Sequence, residues 1–186
     1  MKIVLSAMLA ALVGLTSVAA SAFTVGYASR FLGGGFDLVR LDLDGYVSTI
    51  GSNDMLPSAG AFAGDDYSTQ YIVDFNVGRL ESVDVHTGHV TLIGIADLGE
   101  NVPIGLGWDP TSSQMFLLAA DDPCTTSTLY VIDLVSAATL ELGSTPHCIS
   151  GLAIGADGVG YGVDLDEDAL VSIDIGTGAS AMIGPI

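Results

Sequence analysis

Two cysteines and a histidine stand near one another in the second half of the chain and are its most reactive side chains. Cys124 lies in the segment DDPCTTST, and Cys148 lies in STPHCIS directly after His147. In an exported chain with only two cysteines, this pair predicts a disulfide. The alternative is a metal site that adds His147 and Asp122 to the two cysteines, although that set has no recognised ligand spacing.

His147 is also a weak candidate for a catalytic residue. An imidazole can act as a general base near neutral pH, and His147 is the only histidine beside the cysteine-bearing segments. His86 and His89 flank the Thr-Gly pair of a turn and are expected at the surface. The sequence contains no nucleophile elbow, no phosphate-binding glycine loop and no paired-carboxylate signature, so no organic cofactor is predicted.

A run of acidic residues, DLDED, could bind a cation. Asp164, Asp166 and Asp168 alternate along it, as oxygen ligands do in the first half of many Ca²⁺ loops. The glycine and the distal glutamate of an EF-hand loop are missing, because Ala169 and Leu170 follow. The run is therefore most simply a solvated acidic loop, and a Ca²⁺ site, the only cofactor that the sequence suggests, is the alternative.

The overall charge limits the partners. The chain has 22 Asp and Glu against four Lys and Arg, and its single lysine is Lys2. Such a surface repels phosphate backbones and anionic lipids, so nucleic acid and membrane surfaces are excluded as partners. Cations and basic ligands are favoured, and a solvated acidic coat is the alternative.

The N-terminus predicts export. Lys2 precedes an apolar stretch over residues 3–15, and the Ala-Ser-Ala at 20–22 fits a signal-peptidase site, so residues 1–22 are expected to be a signal peptide. An uncleaved anchor helix is the alternative. No second apolar stretch is long enough to span a membrane, and we therefore expect a secreted or periplasmic protein.

The elements that must position these residues form a repeat. Four segments read apolar-x-x-apolar-Asp-apolar, then a turn, then alternating residues that end on Gly. They begin at Leu38, Leu80, Leu129 and Leu170, and their aspartates are Asp42, Asp84, Asp133 and Asp174. A recurrence of about 40 to 50 residues is the scale of a four-stranded propeller blade. The repeated Asp is expected to cap its turn.

Three of these hairpins follow a second hairpin that begins on Gly, which predicts strands A to D in each unit. The first unit starts at FTVGYAS and lacks strand A, so we predict an all-β array of 15 strands. The domain covers residues 23–186, with units at approximately 23–52, 58–97, 104–144 and 150–186. Trp108 and Tyr161 lie in inner strands and are expected in the core.

The segments GLGWDP, LYVIDL and VDVHTGHVTLIG resemble exported bacterial β-propeller repeats of the YVTN and NHL types. The resemblance implies the propeller fold; such families include binding modules, surface proteins and a few lyases and hydrolases, so no single activity follows. Our interpretation is a non-catalytic module that binds a partner or ligand through the face with the B–C and D–A loops. The alternatives are a metal-dependent lyase or hydrolase on that face and a structural surface or matrix protein.

Four units lie at the lower limit for a closed propeller, and an open arc leaves strand edges unpaired. Three alternatives therefore stay open: a fragment of a longer protein, a complete small propeller, and an arc that self-associates through its open edges.

Overall fold

The computed structural model describes residues 24–31, 35–54 and 56–186. The predicted signal peptide at 1–22 lies outside these residues. No helix in the described part of the chain is long and apolar enough to cross a membrane. The described residues are all-β, and they contain the 15 strands that the repeat predicts.

The strands pair into four antiparallel sheets, which are the blades of a β-propeller, and each sheet follows the order of the chain. The first blade holds β1 (Thr24–Phe31), β2 (Phe36–Asp42) and β3 (Val47–Asn53), and the second holds β4 (Pro57–Ala63), β5 (Asp66–Asp74), β6 (Arg79–Asp84) and β7 (Val90–Ile95). The third holds β8 (Val102–Asp109), β9 (Gln114–Ala120), β10 (Ser127–Ile132) and β11 (Thr139–Thr145), and the fourth holds β12 (Ile149–Ile154), β13 (Val159–Asp164), β14 (Ala169–Asp174) and β15 (Ser180–Pro185).

The first blade lacks strand A, as predicted. Its β1 pairs with β2, which is the B–C pairing of the other blades. The innermost strands of the complete blades lie side by side, with β4 and β12 on either side of β8. Consecutive antiparallel strands joined by short turns give this meander without any crossover connection.

Apolar side chains between consecutive blades form the core. One cluster joins the first and second blades through Leu38 and Val83, one joins the second and third through Leu80 and Ile132, and one joins the third and fourth through Leu129 and others. Strand alternation explains this arrangement, because successive side chains of a C strand point toward opposite neighbouring blades.

The repeated aspartates cap the C–D turns in three of the four blades. Asp84, Asp133 and Asp174 each accept hydrogen bonds from N–H groups of the turn that follows, as Oδ1 of Asp133 does from Val135 and Ser136. The prediction is wrong for Asp42, whose carboxylate pairs with Arg40, with Nε 3.1 Å from Oδ1. Asp44 caps that turn instead, by accepting from Tyr46 N–H.

Candidate functional site

The B–C turns and the D–A loops emerge at one end of the propeller, which we call the loop face. Each B strand ends there and each A strand begins there, so the chain delivers both cysteines and His147 to this face. The predicted disulfide is present: Cys124 of the third blade's B–C turn is bonded to Cys148, which precedes β12. Their Cα atoms are 5.1 Å apart, within the usual range for a disulfide.

His147 is held from two sides. Its Nδ1 lies 2.9 Å from Oδ2 of Asp164, and its carbonyl oxygen accepts from Ser127 Oγ at 2.8 Å. Ser127 Oγ also accepts from Ile149 N–H, which fixes the backbone on the other side of Cys148. The sequence placed His147 on this face but did not indicate that Asp164 is its partner.

The imidazole is open to solvent, whereas its partner is not. The side chain of His147 is 40% exposed and that of Asp164 is 3% exposed. A neutral imidazole that donates through Nδ1 presents Nε2 as an acceptor, which is the arrangement that a general base requires. The pair therefore places an exposed imidazole against a buried carboxylate.

The acidic run takes part in local hydrogen bonds. Oδ1 of Asp164 accepts from the N–H groups of Asp166 and Glu167, and Oδ2 of Asp166 accepts from Cys148 N–H at 3.3 Å. Asp168 has a positive φ of 48° at the end of the turn. Within the described ranges, no three His, Cys, Asp or Glu side chains gather closely enough to hold a metal ion. The Ca²⁺ site at Asp164, Asp166 and Asp168 stays a prediction.

A cleft of about 420 Å³ opens on the loop face between the second and third blades. Phe75, which is 47% exposed, forms one wall, and Val102 and Ile104 contribute apolar surface. The third blade's turn supplies the rest of the lining: Ala120, Asp121, Asp122, Pro123 and Cys124. The disulfide thus connects one wall of the cleft to the residue that follows His147. Sequence reasoning missed this cleft, since its apolar walls come from separate blades.

Asp121 contributes a negative charge to this cleft. Hydrogen bonds from Thr125 Oγ1 and from the N–H groups of Thr126 and Thr125 hold the pKa of Asp121 below its ordinary value. The neighbouring Asp122 is exposed. The cleft therefore combines an aromatic and aliphatic wall with carboxylates, a combination suited to a ligand with an apolar part and a positive charge.

A second cleft, of about 460 Å³, lies at the opposite end of the propeller among the A–B turns. Trp108, Phe62 and Tyr67 contribute to its lining. Trp108 packs against the core as expected, but it is only partly buried because it also faces this cleft. Nothing in the sequence indicated this cleft, since its aromatic residues are dispersed over two blades.

Comparisons with known proteins agree with the fold. No family model and no curated protein matches the chain. Among solved structures, it is similar to the calcium-binding protein regucalcin from Agrobacterium tumefaciens (20% identity, TM-score 0.55, 86% of this chain and 59% of that one). It is also similar to TolB from Acinetobacter baumannii (17% identity, TM-score 0.59, 86% of this chain and 40% of that one). A third similar structure is an oligogalacturonate lyase in complex with manganese (16% identity, TM-score 0.55, 81% of this chain and 42% of that one).

The chain therefore spans between 40% and 59% of the length of these three structures. Identities this low support a shared architecture and no shared activity. With four consecutive antiparallel blades and these structural neighbours, the chain is a β-propeller repeat protein.

Proposed function

We propose that this protein is an exported binding module that takes a cationic, partly apolar ligand in the cleft on its loop face. The observation that carries the proposal is the composition of that cleft. Phe75 and Ile104 offer apolar surface, and Asp121 and Asp122 offer negative charge in the same lining. An aromatic side chain and a carboxylate around one cleft favour an organic ammonium group over a neutral or anionic one.

The charge of the whole chain supports this choice of ligand. A net charge of −18 attracts cations to the surface and raises their local concentration at any acidic cleft. Export is part of the proposal. It rests on the N-terminal segment and on the disulfide, a bond that persists in oxidising compartments. N-terminal sequencing of the processed protein should find Phe23 first.

Binding can be tested with three small probes of similar shape. Phenethylamine is cationic, 2-phenylethanol is neutral, and phenylacetate is anionic. We expect the amine to bind most tightly in calorimetry and phenylacetate not to bind. Equal binding of all three would contradict a role for the carboxylates.

Variants locate the site. Phe75→Ser and Asp122→Asn should each weaken binding of phenethylamine by roughly tenfold, the effect of losing about 1.4 kcal/mol. Leu165→Ser is the matched control, because Leu165 occupies the same turn position in the fourth blade, is 54% exposed, and lies outside the cleft lining. Loss of binding in the control variant would show that the ligand sits elsewhere on the loop face.

A metal-dependent lyase or hydrolase on the same face is the second candidate. The close pair of His147 and Asp164 supports it, because a carboxylate beside an exposed imidazole is an arrangement that general bases use. Two of the similar structures suggest which ions to try, since regucalcin is a calcium-binding protein and the oligogalacturonate lyase is in complex with manganese. Metal analysis of gently purified protein separates the candidates: a stoichiometric ion that is lost in Asp164→Ala favours the enzyme, and its absence favours the binding module.

A further inference from the structure

Each outermost strand carries a glycine at the same place. A β-bulge shifts the register there, and the glycine lies opposite the first leucine of the repeat. The four pairs are Gly51 with Leu38, Gly94 with Leu80, Gly143 with Leu129 and Gly184 with Leu170. A geometry that recurs at four positions of one chain suggests that the glycine has a structural purpose beyond its own strand.

In the first three blades, the C–D turn of the following blade packs directly on this glycine. A Cβ atom added to Gly51 would lie 2.8 Å from the Cα of Gly88, and one added to Gly94 would lie 2.9 Å from the carbonyl oxygen of Ser136. A Cβ on Gly143 would overlap the carbonyl oxygen of Thr177. No other residue leaves room for a backbone to approach so closely, and the glycine is therefore the socket into which the next blade fits.

A fourth such junction would need a glycine socket and a C–D turn, and the chain has one of each left over: Gly184 in the fourth blade and the turn with Gly45 in the first. Among the described residues these two do not contact each other. A Cβ on Gly184 would have no heavy atom within 4 Å. The same holds for Gly45, which belongs to the C–D turn of the first blade. Its counterpart in the second blade, Gly88, would place a Cβ 2.6 Å from the Cα of Gly51.

The side chains around these two halves are correspondingly exposed. Leu38, Leu80 and Leu129 are at most 1% exposed, whereas Leu170 is only partly buried. Met182 beside it is 61% exposed, and Tyr46 in the first blade's turn is 65% exposed. Exposed apolar side chains of this kind mark surfaces that another protein surface can cover.

We propose that a second copy of this chain completes the junction. The C–D turn of each copy's first blade packs on Gly184 of the other copy, and the two equivalent contacts are related by a two-fold axis. The described blades of the two copies together form a closed ring of eight, within the range that propellers adopt. The contact continues a junction that the chain already forms three times, and it differs from pairing through open strand edges.

The repeat itself favours this partner. Each copy carries one unoccupied socket, at Gly184, and one unoccupied C–D turn, at Gly45. These are the two halves of a junction that the chain already forms three times between its own blades, so a second copy presents both complementary surfaces.

Gly184→Val tests the socket. The residue has open space around it, and its φ is not among the positive values, so the isolated chain should accept the side chain. At a completed junction, the same side chain would meet backbone. Sedimentation velocity should find twice the mass of one chain for the unaltered protein and a single chain for Gly184→Val at every concentration, with unchanged far-ultraviolet circular dichroism. Ala156→Val, at an exposed A–B turn of the same blade, should remain dimeric.

A mixing experiment tests the other half of the junction, the first blade's C–D turn. Tyr46→Asp should also be monomeric alone, because a charge replaces the apolar side chain of the turn. A mixture of Tyr46→Asp with Gly184→Val should regain a dimer through the one junction in which both halves are intact. The proposal is overturned if the unaltered protein is monomeric throughout, if Gly184→Val stays dimeric, or if the two variants fail to combine. If the unaltered protein forms oligomers of steadily increasing mass, and Gly184→Val abolishes them, the closed ring of two copies is overturned.

Discussion

The second and fourth blades end their B strands on the same residue and use it differently. Asp74 and Asp164 are both buried, and Oδ1 of each accepts two N–H groups of the B–C turn that follows. Oδ2 of Asp74 accepts from Leu56 N–H and lies 3.6 Å from Nη2 of Arg79. Oδ2 of Asp164 instead lies 2.9 Å from Nδ1 of His147.

The comparison distinguishes the structural role of the carboxylate, which is shared, from the chemistry of its second oxygen, which differs. Capping of the turn by Oδ1 is common to both blades and is structural. The partner of Oδ2 differs: a guanidinium keeps its charge at all pH values, whereas an imidazole exchanges a proton near neutral pH. Of these two blades, the fourth therefore places its buried carboxylate beside an imidazole, a group that can take part in proton transfer.

The disulfide is the largest difference between the two blades. It bonds the segment before the fourth blade to the third blade's B–C turn, and the second blade has no such bond. It closes a loop of 24 residues, and its reduction should lower the free energy of unfolding by about 3 kcal/mol in the chain-entropy model. Urea unfolding with and without reductant measures this loss. Hydrogen exchange should then accelerate at residues 121–126 and 147–149 and stay unchanged at Leu56 and Phe75. Equal acceleration at both ends would mean that the bond acts on the whole fold.

Asp74→Asn and Asp164→Asn test whether the two carboxylates differ as their partners suggest. An amide at position 74 would direct its NH₂ group at two donors, Leu56 N–H and Arg79, and neither can become an acceptor. We expect a loss of about 2 kcal/mol there. At position 164, His147 can move its proton to Nε2 and accept from the amide, so the loss should be about 1 kcal/mol.

Thermal and urea unfolding of both variants at neutral pH measures the difference. The residual cap on Oδ1 is the same in both, so it serves as the internal control. If Asp164→Asn proves the more costly substitution, His147 does not adapt, and the proposed distinction between the two blade ends is wrong.

The second blade buries an acidic side chain, Glu81, at a position where the fourth blade has an apolar one. Burial raises the pKa of Glu81; Arg79 opposes this rise, and Asp74 and Asp54 add to it. Its Oε2 is buried without a hydrogen-bond partner among the described residues. Val171 occupies the equivalent position in the fourth blade. Since a raised pKa favours the protonated form in the folded state, stability associated with Glu81 is present at low pH and is lost as pH rises through that pKa.

Glu81→Val should therefore raise the free energy of unfolding by about 1 kcal/mol at neutral pH, because a buried charge with poor pairing is replaced by packing. The gain should shrink as pH falls below about 4.3, because the glutamate then becomes protonated in the unfolded state as well as in the folded one. Glu81→Gln keeps the shape and removes the charge, so it separates electrostatics from packing. A gain that does not depend on pH would show that packing alone is responsible.

The sequence predicted the fold well because the fold repeats. The apolar-x-x-apolar-Asp pattern placed four C strands, and the missing Gly-started hairpin identified the three-stranded first blade. The disulfide followed from the placement of both cysteines on one face. The pairing of His147 with Asp164 was not predicted, because it joins a D–A loop to the end of a B strand and depends on distances across a sheet. The aligned Asp42 failed as a cap since the neighbouring Arg40 offered its carboxylate a charged partner.

The smallest expected effect concerns the acidic turn itself. Asp166 and Asp168 follow Asp164 where the second blade has Asn76 and Gly78 after Asp74. Gly78 and Asp168 share a left-handed backbone, with φ of 65° and 48°, a conformation that favours glycine. An aspartate is tolerated there, and its carboxylate adds charge to a turn that the second blade leaves neutral.

We expect Ca²⁺ to raise the melting temperature more than Na⁺ does at equal ionic strength, because screening by salt has no ion preference whereas ligation does. The carboxylates must turn toward the ion, since Asp166 is engaged by Cys148 N–H, so the affinity should be low. At a Ca²⁺ concentration equal to Kd, the stabilisation is about 0.4 kcal/mol. The double variant Asp166→Asn/Asp168→Asn should abolish the difference between the ions. Asp65→Asn/Glu100→Gln removes the same charge from exposed sites elsewhere and should preserve it. Equal stabilisation of the unaltered protein by both ions would leave the run as a solvated acidic turn, and the two blade ends would then differ in charge but not in cation binding.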